Sequence, residues 1–496
     1  MAAWAIALLA GAASVLSFAP FGLFPLAFAS LAPLAWLLGR ARRTRDGLAL
    51  GFGWGFGSFA GGVSWLYVAL NHYGGMAAPL AALAIGLFCA YLALYPALAG
   101  ALFVRWRPQG AVARAALFAG LWVLAEWLRG VVFTGFPWLA IGYSQTPPSP
   151  LAGYLPLIGV YGVGGLVAML AGLLAFAPWR LPRAAMPAAG SALALLAAGA
   201  GFQGTHWTTP VGAPLSVALI QTNIEQGLKW QPEQFLAVLH TNAELVRGAA
   251  AELVVLPEST LPTLADNLPE GYLDALGGLA ADNGGDLVFG VFHRDAQGRI
   301  YNAALSVGRS PTQFYAKHHL VPFGEYSPPL FGWFYELVDI PMSDQTRGAA
   351  EQPPMALGGQ RIALNICYED LFGAELIRSL PQATMMLNLS NLAWYGDSLA
   401  QPQHLQIARV RAIETGRPML RSTNTGMTAV VQPDGSVSGV LPAFEQGVLQ
   451  AEVRGYQGLT PYARWGDRAA LALAGAILAF VMLHSRSRRP RGAEAR

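Results

Sequence analysis

Three residues of this chain have the types needed for thiol-based acyl transfer, and each stands where a strand-like run gives way to a loop. Glu258 follows the run VVLP, Lys317 follows FYA, and Cys367 closes RIALNI within NICYED. In such chemistry the nucleophile is the thiolate, so a nearby cation should favour its formation and a base should take its proton. The tetrahedral intermediate also needs positive charge or N–H donors at its oxyanion. Three further residues stand where they could support this trio. Glu325 lies in a Pro/Gly-bounded loop beyond Lys317, and Tyr368 and Glu369 directly follow the cysteine. The chain has only two cysteines. Cys89 sits inside the apolar run LFCAYLAL, where a free thiol behaves as a small core hydrophobe. Cys367 is therefore a solitary thiol in a polar region, which is either inert and buried or kept for its reactivity.

Composition dictates what must position these groups. Hydrophobic residues make up 54% and charged residues 12% of the 496, the latter about half the usual share for soluble domains. So little charge cannot cover a solvated surface, and much of the chain must face lipid. The net charge of +3 carries no nucleic-acid signal. A span needs about 20 apolar residues. Seven candidates precede a polar block, at about 3–19, 21–39, 47–70, 77–104, 112–133, 155–178 and 184–203, and an eighth follows it at about 467–484. Arg40, Arg42, Arg43 and Arg45 follow the second, Arg105, Arg107 and Arg114 the fourth, and Arg180 and Arg183 the sixth. Arg486, Arg488, Arg489, Arg491 and Arg496 follow the eighth. The opposite loops, 71–76 and 134–150, have no Lys or Arg. Positive loops stay cytoplasmic, so eight spans place both termini inside and export the polar block, which in a bacterium means the periplasmic face of the inner membrane. Glu126 and Arg129 fall inside the fifth span at i,i+3 spacing; intramembrane charges mark function by default, and the alternative is that they only pair with each other near the exported end.

Three regions follow: residues 1–208, a transmembrane bundle with seven spans; residues 209–458, an exported catalytic domain; and residues 459–496, the last span with a basic tail. Within the exported block, strand-like runs recur at 215–221, 252–257, 286–292, 303–308, 361–367, 384–390, 419–424 and 427–437. Pro433, Asp434 and Gly435 form the turn of a hairpin in the last. Helical patterns at 231–250, 272–284 and 398–416 alternate with them. This interleaving predicts an α/β layer fold with apolar strands covered on both faces, and in such folds chemistry collects at strand ends.

At VVLPEST, FYAKHHLVPFGEYSP and NICYEDLF the sequence resembles the nitrilase, or carbon–nitrogen hydrolase, superfamily. Glu258, Lys317 and Cys367 fall in the chain order of its Glu–Lys–Cys triad. The resemblance implies an αββα sandwich, with no cofactor and no metal; His318 and His319 have no further ligands at metal-binding spacing. FTGFPWLAIGYSQ (133–145) and the eight-span arrangement are similar to a membrane-bound N-acyltransferase branch of that superfamily. That branch implies two partners in the bilayer: a phospholipid acyl donor, and a diacylglyceryl-modified apolipoprotein whose N-terminal amine accepts the chain from a Cys367 thioester. Glu258 would be the base. Lys317 would serve the thiolate and, with the Tyr368 N–H, the oxyanion. Glu325 would orient Lys317 or share in proton handling, and Tyr368 and Glu369 would support the nucleophile. Trp230, Phe136, Trp138, Asn388 and Trp394 are the expected lipid or substrate contacts.

Overall fold

Long apolar stretches with no internal polar partners must satisfy their backbone locally, and in lipid only the helix does so within one segment. The computed structural model describes residues 1–327 and 344–487. It divides into a helical unit, residues 1–64, 83–205 and from Trp465 on, and an α/β unit, residues 65–82 and 206–464. The helical unit contains helices Ala2–Ser14, Pro25–Arg40, Thr44–Gly62, Ala111–Arg129, Leu155–Phe176, Pro182–Phe202 and Arg468–Ser487, with most of helix Ala78–Trp106. Four segments, Ala78–Trp106, Ala111–Arg129, Pro150–Phe176 and Pro182–Phe202, are long and apolar enough to cross a membrane. Ala2–Ser17, Pro25–Arg40 and Arg468–Leu483 are apolar but shorter. The run expected to span 47–70 ends as a helix at Gly62, and the chain from Trp65 to Ala82 belongs to the α/β unit. The tail arginines 488, 489, 491 and 496 lie outside the described residues.

Small residues let these helices approach backbone to backbone, the usual source of packing where lipid removes the hydrophobic drive. A Cβ on Gly57 would stand 2.1 Å from the Leu8 carbonyl oxygen, so helices Ala2–Ser14 and Thr44–Gly62 meet with no room for a side chain there. Glu126 and Arg129 are both buried, and what holds them is the polar backbone of the next loop. Glu126 Oε1 accepts from the Ile141 N–H at 2.7 Å, and Arg129 donates to the carbonyls of Phe136 and, at 2.7 Å, Trp138. The physical reason is that a loop within the bundle leaves unpaired N–H and C=O groups, and two charged side chains supply the missing partners.

The α/β unit is a two-sheet sandwich. Its first sheet holds β1 (Thr208–Gln221), β2 (Leu253–Val255), β3 (Leu261–Leu264), β4 (Asp286–Arg294), β5 (Ile300–Gly308) and β6 (Gln313–Ala316). The second holds β7 (Met355–Leu357), β8 (Gln360–Ile366), β9 (Met385–Ser390), β10 (Met419–Thr423), β11 (Ala429–Val431) and β12 (Val437–Val440). A final strand, β13 (Gly447–Gly458), returns to pair antiparallel with β1. Strand order is β13-β1-β2-β4-β5-β6, with β3 beside β4, and β12-β11-β10-β9-β8-β7.

The central strands are covered on both faces, so they are apolar throughout and need no alternation of apolar with polar residues. Val217, Leu219, Val255 and Val288 of one sheet pack on Leu364, Ile366, Leu387 and Leu420 of the other. Outside the first sheet, helices Phe235–Arg247 and Tyr272–Asp282 cover a second core. Outside the second, helix Ala400–Thr415 covers a third. The layers are thus α, β, β, α, as the motifs implied. All eight strand-like runs form strands. β3, β6, β7 and β13 are not among them. The first three are too short for a period to register, and β13 is a half-exposed strand with polar residues at every second or third place.

Candidate active site

Parallel strands deliver their C-terminal ends to one edge of a sheet, and two sheets back to back bring two such edges together. Glu258 leaves β2 through Leu256 and Pro257, Lys317 directly follows β6, and Cys367 directly follows β8. All three are buried. Lys317 Nζ lies 3.2 Å from Glu258 Oε1 and 2.7 Å from Glu325 Oε1. Cys367 is within Coulombic reach of Glu258, Lys317, Glu325 and Asp370. The structure therefore gathers the expected catalytic residues, with Glu325, in one buried cluster.

Two turns in unusual backbone conformation make the gathering possible. Cys367 has φ +53° and Ser259, just after the candidate base, has φ +48°. A non-glycine residue there costs on the order of 1–3 kcal/mol and persists only when its surroundings over-determine it. The base turn presses against β4 at Gly290, where a Cβ would stand 2.5 Å from Ser259 N and 2.7 Å from Glu258 Cα. Only glycine admits so close a backbone.

Asn302 on β5 bridges the carboxylates, donating to Glu258 Oε1 at 2.9 Å and to Glu325 Oε1 at 3.0 Å. Glu258 Oε2 accepts the Asn391 N–H at 2.8 Å, and Glu325 Oε2 accepts the Val321 N–H at 2.7 Å. Glu369 clamps two chain segments together. It accepts from Ile366 N at 2.6 Å, His318 N at 2.7 Å, His319 N at 3.0 Å and the Tyr315 hydroxyl at 2.9 Å. One carboxylate thus joins the residue before the nucleophile to the residues after the lysine. The Tyr368 ring meets Phe372 and His319, which stack on each other, edge to face at 5.2 and 5.7 Å.

Burial and charge set the protonation states. Burial disfavours the Lys317 ammonium, but Glu258, Glu325 and the sulfur outweigh it and hold the lysine pKa well above its ordinary value. Burial also drives the Cys367 thiol well above its usual range; Glu258 and Glu325 push the same way, and Lys317 opposes them. The resting sulfur is therefore a thiol, and a base must take its proton during attack. Burial raises the pKa of Glu369 against four stabilising contacts, chiefly the His319 N–H.

The remaining expected contacts lie in several places. Trp230 is half-buried with its ring 5.8 Å from Phe292, and its Nε1 has no hydrogen-bond partner among the described residues. Trp394 meets Tyr73 edge to face at 5.9 Å, and its neighbour Tyr395 meets Trp65 at 4.5 Å. Tyr395 is within Coulombic reach of the whole cluster, so the segment beginning at Trp65 packs on the loop that borders it. Phe136 and Trp138 belong to the helical unit, their rings stacked at 6.5 Å. Asn388 is fully buried, and its amide donates to Asn365 Oδ1 at 2.5 Å and to the Cys367 carbonyl at 3.2 Å, bonding it to the nucleophile's turn. Sequence reasoning missed Asn302, Asn391 and Lys229. Lys229 is buried with Nζ 3.4 Å from the Glu258 carbonyl, and burial brings its pKa down to about 7 against the pull of Glu258. A polar residue inside an apolar strand, as in IYNAALSVG, was the available signal for Asn302.

A two-sheet sandwich with a Glu, a Lys and a Cys at its strand ends, in a chain with four helical segments long and apolar enough to cross a membrane, has the architecture of a nitrilase-like domain joined to membrane helices. Residues 216–462 match the carbon-nitrogen hydrolase family model, and residues 10–173 match that of the apolipoprotein N-acyltransferase N-terminal domain. The chain belongs to the apolipoprotein N-acyltransferase family. It is 46% identical to the apolipoprotein N-acyltransferase of Nitrosomonas europaea over 94% of each chain. It is also 46% identical to that of Ralstonia nicotianae, over 97% of this chain and 93% of the relative, and to that of Chromobacterium violaceum, over 96% and 93%. Among solved structures, the amidase from Nesterenkonia sp. AN1 is 20% identical, with a TM-score of 0.39, over 52% of this chain and 98% of its own.

Proposed function

We propose that this protein moves an acyl chain from a phospholipid, through a thioester on Cys367, to the N-terminal amine of a diacylglyceryl-modified apolipoprotein. The observation that carries the reading is the Glu258–Lys317–Glu325 cluster within Coulombic reach of the buried Cys367. Glu258 takes the thiol proton as sulfur attacks the ester carbonyl. The C=O electron pair moves to oxygen, and the oxyanion rests against the Lys317 ammonium and the Tyr368 N–H. Collapse of the intermediate breaks the C–O bond, Glu258 returns the proton to the leaving alkoxide, and lysophospholipid departs. The acceptor amine then attacks the thioester, Glu258 removes its extra proton, and the C–S bond breaks to restore the thiol. Asn302 and the Asn391 N–H hold Glu258 in place but leave it lone pairs for these transfers.

Both substrates are held in the bilayer by acyl chains, and extracting one costs about 0.8 kcal/mol per CH₂. A catalytic unit joined to membrane spans avoids that cost. Eight spans, with the α/β unit at the periplasmic face of the inner membrane and both termini cytoplasmic, fit the arginine-rich and arginine-free loops. Phe136, Trp138, Trp230 and Trp394 are the proposed lipid contacts.

The test separates acyl transfer from hydrolysis. Purified protein is given phospholipid with a labelled acyl chain and a diacylglyceryl-cysteine peptide. Label is expected on the peptide amine, with none transferred by Cys367→Ala. Label released only as free fatty acid would make the protein a hydrolase and end the proposal.

A further inference from the structure

Behind the nucleophile lies a group of charged side chains that this chemistry does not use. Asp370 lies in the same short turn (Cys367–Leu371), His404 projects from helix Ala400–Thr415, and Arg421 lies on β10. The side chains of all three are 0% exposed. They close a ring. His404 Nε2 is 2.8 Å from Asp370 Oδ1, Arg421 Nη1 donates to Asp370 Oδ2 at 2.9 Å, and Arg421 Nη2 meets His404 Nδ1 at 2.8 Å.

A guanidinium has donors and no acceptor, so His404 Nδ1 must be the bare nitrogen. Nε2 then carries the proton that it gives to Asp370. The imidazole is neutral, in keeping with burial lowering its pKa against the pull of Asp370. A histidine that gained a second proton here would turn an N–H toward Arg421.

The ring reaches the nucleophile by two routes. Asp370 shares the turn of Cys367. Asn388, which accepts from Ser390 Oγ at 2.5 Å and lies 3.5 Å from Arg421 Nη1, donates to the Cys367 carbonyl at 3.2 Å. His404 is within hydrogen-bonding reach of that same carbonyl. A buried ion pair is a poor way to add stability, since apolar residues of similar volume often do as well. Its use directly behind a residue at φ +53° is better explained by geometry.

We propose that the Asp370–His404–Arg421 ring, with Asn388 as its link, is a positioning brace that holds the Cys367 turn, and the Tyr368 N–H with it, in the orientation both half-reactions need. The inference rests on Cys367 being the nucleophile. Because one turn serves both half-reactions, weakening the brace slows both alike.

The test uses the full-length protein in lipid nanodiscs and follows two single-turnover rates: acylation of Cys367 by labelled phospholipid, and discharge of the isolated acyl-enzyme to a diacylglyceryl-cysteine peptide. His404→Leu is expected to slow both by the same factor, at least about tenfold, as a sub-ångström misplacement does, with the KM for phospholipid unchanged. His404→Gln, whose amide can donate to Asp370 and accept from Arg421, is expected to restore both rates to within about threefold. Asn388→Ala cuts the link and leaves the ring, and it should reproduce the loss of both rates when assayed well below its melting temperature; it decides the matter if His404→Leu does not fold. Wild-type rates in folded His404→Leu or Asn388→Ala, or slowing of one step alone, would overturn the brace. Acyl transfer surviving in Cys367→Ala would instead overturn the proposed function, so the two failures are distinguishable.

Discussion

Replacing Glu369 by Gln probes how tightly the nucleophile and the lysine are tied, because one carboxylate accepts four hydrogen bonds from both segments. An amide can keep only one oxygen as acceptor. If its NH₂ faced His318 and His319, two backbone N–H groups would lose their partner. Turned toward Ile366 and Tyr315, it loses less, since the tyrosine hydroxyl can rotate and accept from the amide. One stranded donor then remains, the Ile366 N–H, immediately before Cys367. A buried unsatisfied donor costs about 1–3 kcal/mol, and each kcal/mol lowers the melting temperature of a unit this size by roughly 2–4 °C. We expect a drop of roughly 2–12 °C on these figures. The larger effect is on rate. Shifting the Ile366–Cys367 backbone by about an ångström should slow acylation on the order of a hundredfold. Tyr315→Phe leaves three of the four donors and should stay within about threefold of wild type. Single-turnover acylation, followed by mass spectrometry well below the melting temperature, is the assay. A Glu369→Gln protein that acylates at the wild-type rate would refute the clamp.

Other perturbations have equally definite outcomes. Gly290→Ala places a methyl group 2.5 Å from Ser259 N and 2.7 Å from Glu258 Cα, both backbone atoms; displacement of the base should cost at least about tenfold in acylation rate, measurable in the same assay. Lys317→Met leaves Glu258 and Glu325 facing each other without their cation, so one of them takes up a proton; no acyl-enzyme should form, as labelled phospholipid would show. The folded pKa of His404 is lowered, chiefly by burial, so the native state binds fewer protons than the unfolded chain. Its contribution to stability is present above the unfolded pKa of about 6.5 and is lost as pH falls below it, by up to about 1.4 kcal/mol per unit. Thermal melts taken down to pH about 5 should show this acid-side loss, flattened in His404→Gln.

Much of the site was legible because its residues sit in locally recognisable places. A carboxylate after VVLP, a lysine after a short strand and a cysteine after RIALNI need only strand-end reasoning to be found. The sandwich was legible for a similar reason, since apolar runs such as 361–366 and 385–390 can only be buried strands. What holds the site together was not. Asn391, Asp370, His404 and Arg421 act through partners distant in sequence, and no local pattern distinguishes a buried polar residue that closes a ring from one that faces water. Asn388 is another case: its hydrogen bonds to Asn365 and the Cys367 carbonyl are visible only in the fold. Residues 63–70 read as the end of a membrane span from their apolar character, and only the fold shows Trp65 packed on Tyr395.

The central claim is that Cys367 carries the acyl chain between two lipid-anchored molecules. Intact-protein and peptide mass spectrometry after incubation with a phospholipid of defined acyl chain tests it most directly. The expected result is one acyl group on Cys367, absent in Glu258→Gln and discharged on adding a diacylglyceryl-cysteine peptide. Acyl transfer to the peptide with Cys367 never modified, or with the acyl group on another residue, would contradict it.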